Sequence, residues 1–501
     1  MSFALSAVIA FFSTPAALAI ISGLTLLILS YRDIFWGVAF LSIYTPLEPF
    51  LLKFVPNEIY LYLRYGSEVF MIALLIILVL KKAQSRNQKS VIFQRTPLDL
   101  PLVLFLFVGL ISLILNWGAP WYVGFLGLRQ ILRYLAIFYL ITQAGLTHQQ
   151  IKRLMEVMIL VVLFEVALGL GQAIVGQSAD DFLLPGTRRD FPKIEVSATT
   201  DKFWVAGQRV FATFGRYDRF GVFLSFFLLI IAGLAFEIKN PRWRRILWAI
   251  VIISLPTFFL TYSRLSWLGF FLGLFLIGVI LKRSRVLILS FFIALFALSL
   301  YLSLYLFYTG ARVSRIIDRP YMAPAERILE LFSLRGLREG YRGYGRPYFL
   351  INTPRKLISR HPLLGVGPWQ YGGGVAAALS LHARYDEAGL PFGIAGTVGQ
   401  IDNNWFSIWG EFCTIGLLAW LAVFFVLARF NWRLWKQSND PFTKGLCLGF
   451  LGAIFASVFE AFFGPYFEVR TLALYLWMFA GLVVALGQNS IKEPNSILNL
   501  S

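Results

Sequence analysis

Apolar residues form long solid runs at 3–29, 33–52, 59–80, 98–116, 125–143, 151–175, 218–236, 246–262, 264–281, 286–309, 404–430, 442–463 and 469–487. Runs of this length, without the alternation of a half-buried strand, predict about thirteen membrane-crossing helices. The doubtful one is the first: Pro15 is placed to split it, leaving residues 1–12 in the membrane interface. The pattern divides the chain into N-terminal transmembrane helices (1–175), a first outer loop (176–217), central helices (218–309), a large outer loop (310–403), C-terminal helices (404–487) and a tail (488–501). The large loop has room for short helices, for example at Ala325–Leu337 and Pro354–Arg360.

Composition agrees. Hydrophobic residues make up 58% of the 501 and charged residues 14%, against about 25% charged in a soluble domain. A soluble, disordered or fibrous chain is excluded, and the long solid runs disfavour a transmembrane barrel. The expected fold class is an all-α polytopic membrane protein. Two cysteines, Cys413 and Cys447, both in apolar stretches, give neither a disulfide framework nor a metal cluster. A net charge of +19 would suggest nucleic acid in a soluble protein. Here much of it sits in short loops: Lys81 and Lys82, Lys152 and Arg153, Lys239 to Arg245, Lys282 to Arg285, and Arg429 to Lys444. All fall on one face, which the positive-inside rule makes cytoplasmic, together with the C-terminus.

The candidate chemistry lies on the opposite face. The large loop holds eleven arginines but one lysine, with net charge +5. Guanidinium forks match phosphate oxygens, although contact with anionic lipid or with the loop's own acids is an equal alternative for any one of them. A denser cluster, Arg209, Arg216 and Arg219 around Gly215 and Gly221, enters a membrane helix. Snorkelling explains one such arginine, not three. Arg264 follows Thr261-Tyr262-Ser263 in a hairpin so short that it lies at the membrane surface, where a plain interfacial anchor is the alternative. Arg360-His361-Pro362 leads into Gly365-Val366-Gly367, a turn able to present amides to an anion. Asp402-Asn403 and Glu411 open the eleventh run. A carboxylate there is either a helix cap or a base for a hydroxyl. No phosphate-binding loop, dinucleotide fingerprint, metal spacing or nucleophile triad is present.

In order, these four segments resemble the O-antigen ligase/polymerase family of bacterial inner-membrane glycosyltransferases, over roughly residues 205 to 430. The resemblance implies an integral-membrane glycosyltransferase fold and a periplasmic active site in the inner membrane. It implies undecaprenyl-diphosphate-linked oligosaccharides as donor and acceptor, no cofactor and no metal. Arg209, Arg216, Arg219, Arg264 and Arg360 would bind diphosphate, and Asp402, His361 and Glu411 would be the catalytic candidates. A chain-length regulator and a flippase are further candidate partners; nucleic acid is not one. The ligase branch carries His-Asn where this chain has Asp402-Asn403, and a glycine where it has Cys413, so the start of this helix is more similar to a polymerase. A ligase acting on lipid A-core is the nearest alternative. A small-anion transporter is the alternative of another class, with Glu165, Glu460 and Glu468 as the residues that would revive it.

Overall fold

The computed structural model describes residues 14–84, 93–116, 121–184, 189–191, 194–196, 209–316, 323–363 and 365–492. The segment at 1–12, Arg319 and the tail beyond 492 lie outside the described residues.

Over the described residues, every apolar run falls largely on helix. The first half of the chain contributes α1 (Thr14–Arg32), α2 (Ile34–Leu51), α3 (Asn57–Arg64), α4 (Gly66–Gln84), α5 (Asp99–Leu115), α6 (Trp121–Leu132), α7 (Leu135–Ala144) and α8 (His148–Val175). A short α9 (Gln177–Leu183) follows, then α10 (Tyr217–Glu237), α11 (Pro241–Leu260), α12 (Arg264–Leu274) and α13 (Arg285–Thr309). Among the described residues nine helices are long and apolar enough to cross a membrane. Two bent pairs, α3 with α4 at 45° and α6 with α7 at 46°, have the make-up of a broken span or a re-entrant loop, and two further apolar helices are shorter. The protein is an all-α polytopic membrane protein.

Helix starts follow local chemistry. Asn240 accepts from Arg242 N with Pro241 in the first turn, Ser284 accepts from Leu287 N, and Thr147 and Gln150 form a reciprocal capping box. α10 is the central pillar, buried along nearly its whole length. It packs on α20 (Pro441–Glu460) through glycine. A Cβ at Gly233 would lie 2.2 Å from Gly449 N, and one at Gly449 would lie 2.6 Å from Ile230 Cα. Backbones this close require small residues, which supply the packing contact that drives helix association in lipid. α13, by contrast, has no buried residue.

The outer loops are more structured than the sequence pattern suggests. The first carries α9 and a hairpin of β1 (Arg189–Phe191) and β2 (Ile194–Val196), with Asp190 opposite Glu195. In the large loop, the helix expected at Ala325–Leu337 is broken. α14 (Pro324–Leu329) ends in a 3₁₀ turn, and Ser333 Oγ accepts from Gly336 N at 3.1 Å to start α15 (Leu334–Arg342). The helix expected at Pro354–Arg360 begins earlier, as α16 (Arg346–Asn352). It widens into a π turn over Thr353–Ile358, where Pro354 has no N–H to offer. With α17 (Gly374–Ala378) and α18 (Ala383–Ala388), the loop builds its own apolar centre from Phe349, Leu357, Tyr371, Tyr385, Phe392 and Ile401. It forms a cap over the outer ends of the bundle. α19 (Asn404–Gln437) and α21 (Arg470–Lys492) complete the chain.

Candidate functional site

The segment entering α10 is held from below. Phe211 N and Ala212 N both donate to Gln172 Oε1, at 3.0 and 2.9 Å. Thr213 Oγ1 donates to Glu165 Oε1 at 2.6 Å. Glu165 therefore anchors this turn, which accounts for a carboxylate inside a membrane helix. Gly215 then takes φ +68°, and the turn delivers Arg216 to the head of α10. Arg216 grips Asp218 with two hydrogen bonds of 2.9 Å. Burial pulls the Arg216 pKa down, but the Asp218 charge and hydrogen bonds more than offset this and leave it above its ordinary value. Arg209 lies 4.2 Å over the Tyr217 ring.

Arg219 is half-buried, and its side chain has no hydrogen bond or ion pair to another described residue. Its charged neighbours are Arg216, Asp218, Arg64 and Arg470. Arg64 stands where α3 breaks into α4, and its side chain is likewise unpaired among the described residues. Arg470 opens α21. It pairs with Glu48, reaches Glu68 at 3.6 Å and donates to Arg64 O at 2.6 Å. Glu68 also takes Arg129 and, at 2.9 Å, Arg133, which stands at the α6–α7 bend. The two bent helix pairs thus bring arginines to the N-terminal end of α10. Among the described residues this cluster holds more guanidiniums than carboxylates, and two of the guanidiniums are unpaired there.

Asp402 sits beside this cluster through Arg346, which it meets at 3.1 Å. Arg346 is also a charged neighbour of Tyr217 and of Tyr466, and Tyr466 faces Arg216 and Asp218. Asp402 is not the helix cap. It takes φ +48°, and Asn403 caps α19 by accepting from Phe406 N at 3.0 Å.

Two of the five predicted arginines serve the large loop instead. Arg264 donates to Arg327 O at 2.8 Å and pairs with Glu330. Arg360 donates to Glu387 O at 2.6 Å, and His361 Nε2 lies 3.8 Å from the same residue's carboxylate. The Arg384 hydrogen bond holds the exposed Glu387 carboxyl below its ordinary range. The glycine turn does not present free amides. Val366 N and Gly367 N donate to Gly410 O and Glu411 O at 3.0 and 3.2 Å. Those carbonyls are freed because α19 breaks at Cys413, where φ is 57°. Gly365, at φ +66°, lies against this break, and a Cβ there would meet Glu411 O at 2.3 Å. The Glu411 side chain is 1% exposed under this turn, and its Oε1 has no hydrogen-bond partner. Its charged neighbour is Glu468, not an arginine.

Glu468, in the turn between α20 and α21, ties the parts together. Its oxygens accept from Gly374 N at 2.9 Å and from Asn404 Nδ2 at 3.0 Å. Its own carbonyl accepts from Arg133 at 3.0 Å. Burial lifts its pKa from 4.5 to about 7, against the Gly374 amide, the Arg133 charge and Asn404. Among the described residues, no group of three His, Cys, Asp or Glu side chains is placed to hold a metal ion.

The structure gathers Arg209, Arg216, Arg219 and Asp402, and sets Arg264, Arg360, His361 and Glu411 in the cap and its seat. Arg346, one of the eleven arginines of the large loop, was not singled out in the sequence, and Arg64 and Arg470 were missed. For Arg64, and for Arg129 and Arg133, a signal existed: ionisable residues inside apolar runs mark functional or paired positions.

The fold defines a polytopic membrane protein with a cluster of arginines gathered at one end of its bundle. Residues 249–421, roughly a third of the chain, match the O-antigen ligase family model. The match supports the O-antigen ligase/polymerase family and a glycosyltransferase-like enzyme. It runs from within α11 through α12, α13 and the cap into the first half of α19, and so includes Arg264, Arg360, His361, Asp402 and Glu411 but not the α10 cluster. No curated protein matches the chain.

Proposed function

We propose that this chain is a polysaccharide polymerase of the bacterial inner membrane, working at the periplasmic face without a metal ion. It transfers a glycan from undecaprenyl diphosphate to a hydroxyl of another lipid-linked repeat unit. The observation that carries this reading is the group formed by Arg64, Arg216, Arg219 and Arg470, two of them unpaired, at the outer end of α10. A diphosphate supplies the negative charge that this group lacks. In the reaction the bond from sugar carbon to diphosphate oxygen breaks, and one to the acceptor oxygen forms. Guanidiniums stabilise the charge that grows on the leaving diphosphate. Asp402, paired with Arg346, takes the acceptor proton. Arg264 acts by seating the cap over the site and Arg360 by holding the cap together at Glu387, with His361 at its rim and Glu411 beneath its glycine turn.

The ligase reading has one observation in its favour: the matching family model is described as O-antigen ligase. Purified protein, supplied with undecaprenyl-diphosphate-linked repeat units with and without lipid A-core, separates the two. A ladder on the lipid carrier alone supports the polymerase. Transfer only with lipid A-core overturns it in favour of the ligase. No product from authentic substrate and folded protein overturns both.

A further inference from the structure

The end of the bundle opposite the arginine cluster holds a cavity of about 360 Å³. It opens where the ends of α1 and α4, the α7–α8 turn and the start of α2 meet. Its polar lining is Arg32, Asp33, Lys81, Lys82, Gln143 and Gln150. Asp33 is already engaged: it caps α2 through Phe35 N at 2.9 Å and accepts from Gln150 Nε2 at 2.7 Å. Lys81 donates to Arg32 O at 3.1 Å and lies 5.3 Å over the Tyr31 ring. Lys82 donates to Gln143 Oε1 at 3.1 Å. These contacts hold both ammonium groups at the cavity. The Arg32 guanidinium has no hydrogen bond or ion pair to another described residue. Among the described lining residues, three cations from two helices face one carboxylate, which is already committed.

The wall of the cavity is apolar, formed by Ile34, Leu78 and Leu146. Beyond it, exposed Leu24, Ile28 and Tyr31 on α1 and Ile76 and Leu80 on α4 lead along the bundle surface. A cationic rim above an apolar lane matches a molecule with an anionic head and an acyl tail. Inorganic phosphate would use only the rim.

We propose that this cavity binds the headgroup of an anionic phospholipid from the adjoining leaflet. The phosphate lies between Arg32, Lys81 and Lys82, and an acyl chain follows α1 and α4. Basic pockets between membrane helices recognise such headgroups, each cation contributing about fivefold in affinity. The site is independent of the reaction at the other face.

The test uses the purified full-length protein in detergent, titrated with phosphatidylglycerol, phosphatidylcholine or inorganic phosphate, with bound species counted by native mass spectrometry. Saturable binding of phosphatidylglycerol over phosphatidylcholine is expected. Arg32→Gln, which removes no contact to a described residue, weakens it about fivefold; the triple change with Lys81→Gln and Lys82→Gln weakens it about a hundredfold. Arg242→Gln with Arg244→Gln, exposed at the start of α11 on the same face, leaves it unchanged. Equal binding of both lipids, or equal loss in the control variant, would overturn the proposal. So would displacement of the lipid by millimolar phosphate, which would make this a soluble-anion site.

Discussion

Glu468 provides a direct test of how the cap is fastened. Its folded-state pKa of about 7 lies above the ordinary 4.5 because the side chain is buried. The folded protein therefore keeps a proton that the unfolded chain releases. The stabilisation is complete below about pH 4.5 and is lost as pH rises through 7. A rise of that size corresponds to about 3 kcal/mol. Glu468→Gln keeps the shape and removes the titration. It also loses a hydrogen bond, because its amide nitrogen faces a donor at either Gly374 N or Asn404 Nδ2. Asn404 has no freedom to turn, since its oxygen accepts from Phe467 N at 2.9 Å. The variant should be about 1–2 kcal/mol less stable than wild type at pH 5. Wild type should then fall by up to about 3 kcal/mol toward pH 8 while the variant changes less, so the gap closes or reverses. Tryptophan-detected thermal unfolding in detergent, across pH 5 to 8, reads both curves. Parallel slopes for the two proteins would refute the assignment of the buried proton to Glu468.

Arg219→Gln and Arg64→Gln should each lower chain growth by about 10- to 100-fold through lost charge-assisted contacts, with unchanged thermal midpoints because neither side chain is bonded to a described residue; Lys at either position should recover part of the rate, and wild-type rates would remove these residues from the site. Asp402→Asn should cost about 10²- to 10⁴-fold in initial rate but under about 1 kcal/mol in stability, since its partner Arg346 is 48% exposed; a large fall in melting temperature with little rate loss would make it a structural residue. Arg264→Gln should release the cap at Glu330 and expose the Arg327–Glu330 segment to limited proteolysis, which Arg219→Gln should not do; an unchanged cleavage pattern would contradict the seating role.

The sequence showed the helices clearly because a lipid-spanning segment must bond its own backbone and carry an apolar surface, and both demands are local. The fractured helix near Ser333 and the π turn at Pro354 were less visible. Each depends on one residue's local hydrogen bonding inside a stretch whose composition fits a continuous helix. Glu165 and Glu468 read as ionisable groups in apolar surroundings; their roles came from partners 48 and 94 residues away, Thr213 and Gly374.

For the site, the sequence by itself determined the inventory: arginines crowded on one face, a carboxylate pair opening the eleventh helix, and a glycine turn before it. The tertiary structure alone decided which of them meet. Arg64 and Arg470 are 406 positions apart, yet both reach Arg219 because helices from the two ends of the chain pack around α10. Arg360, which looked equivalent in the sequence, points instead to Glu387. Periodicity reports what each segment needs from its surroundings. It carries no record of which distant segment supplies it, since that is fixed by packing and by long-range hydrogen bonds formed only when the bundle closes.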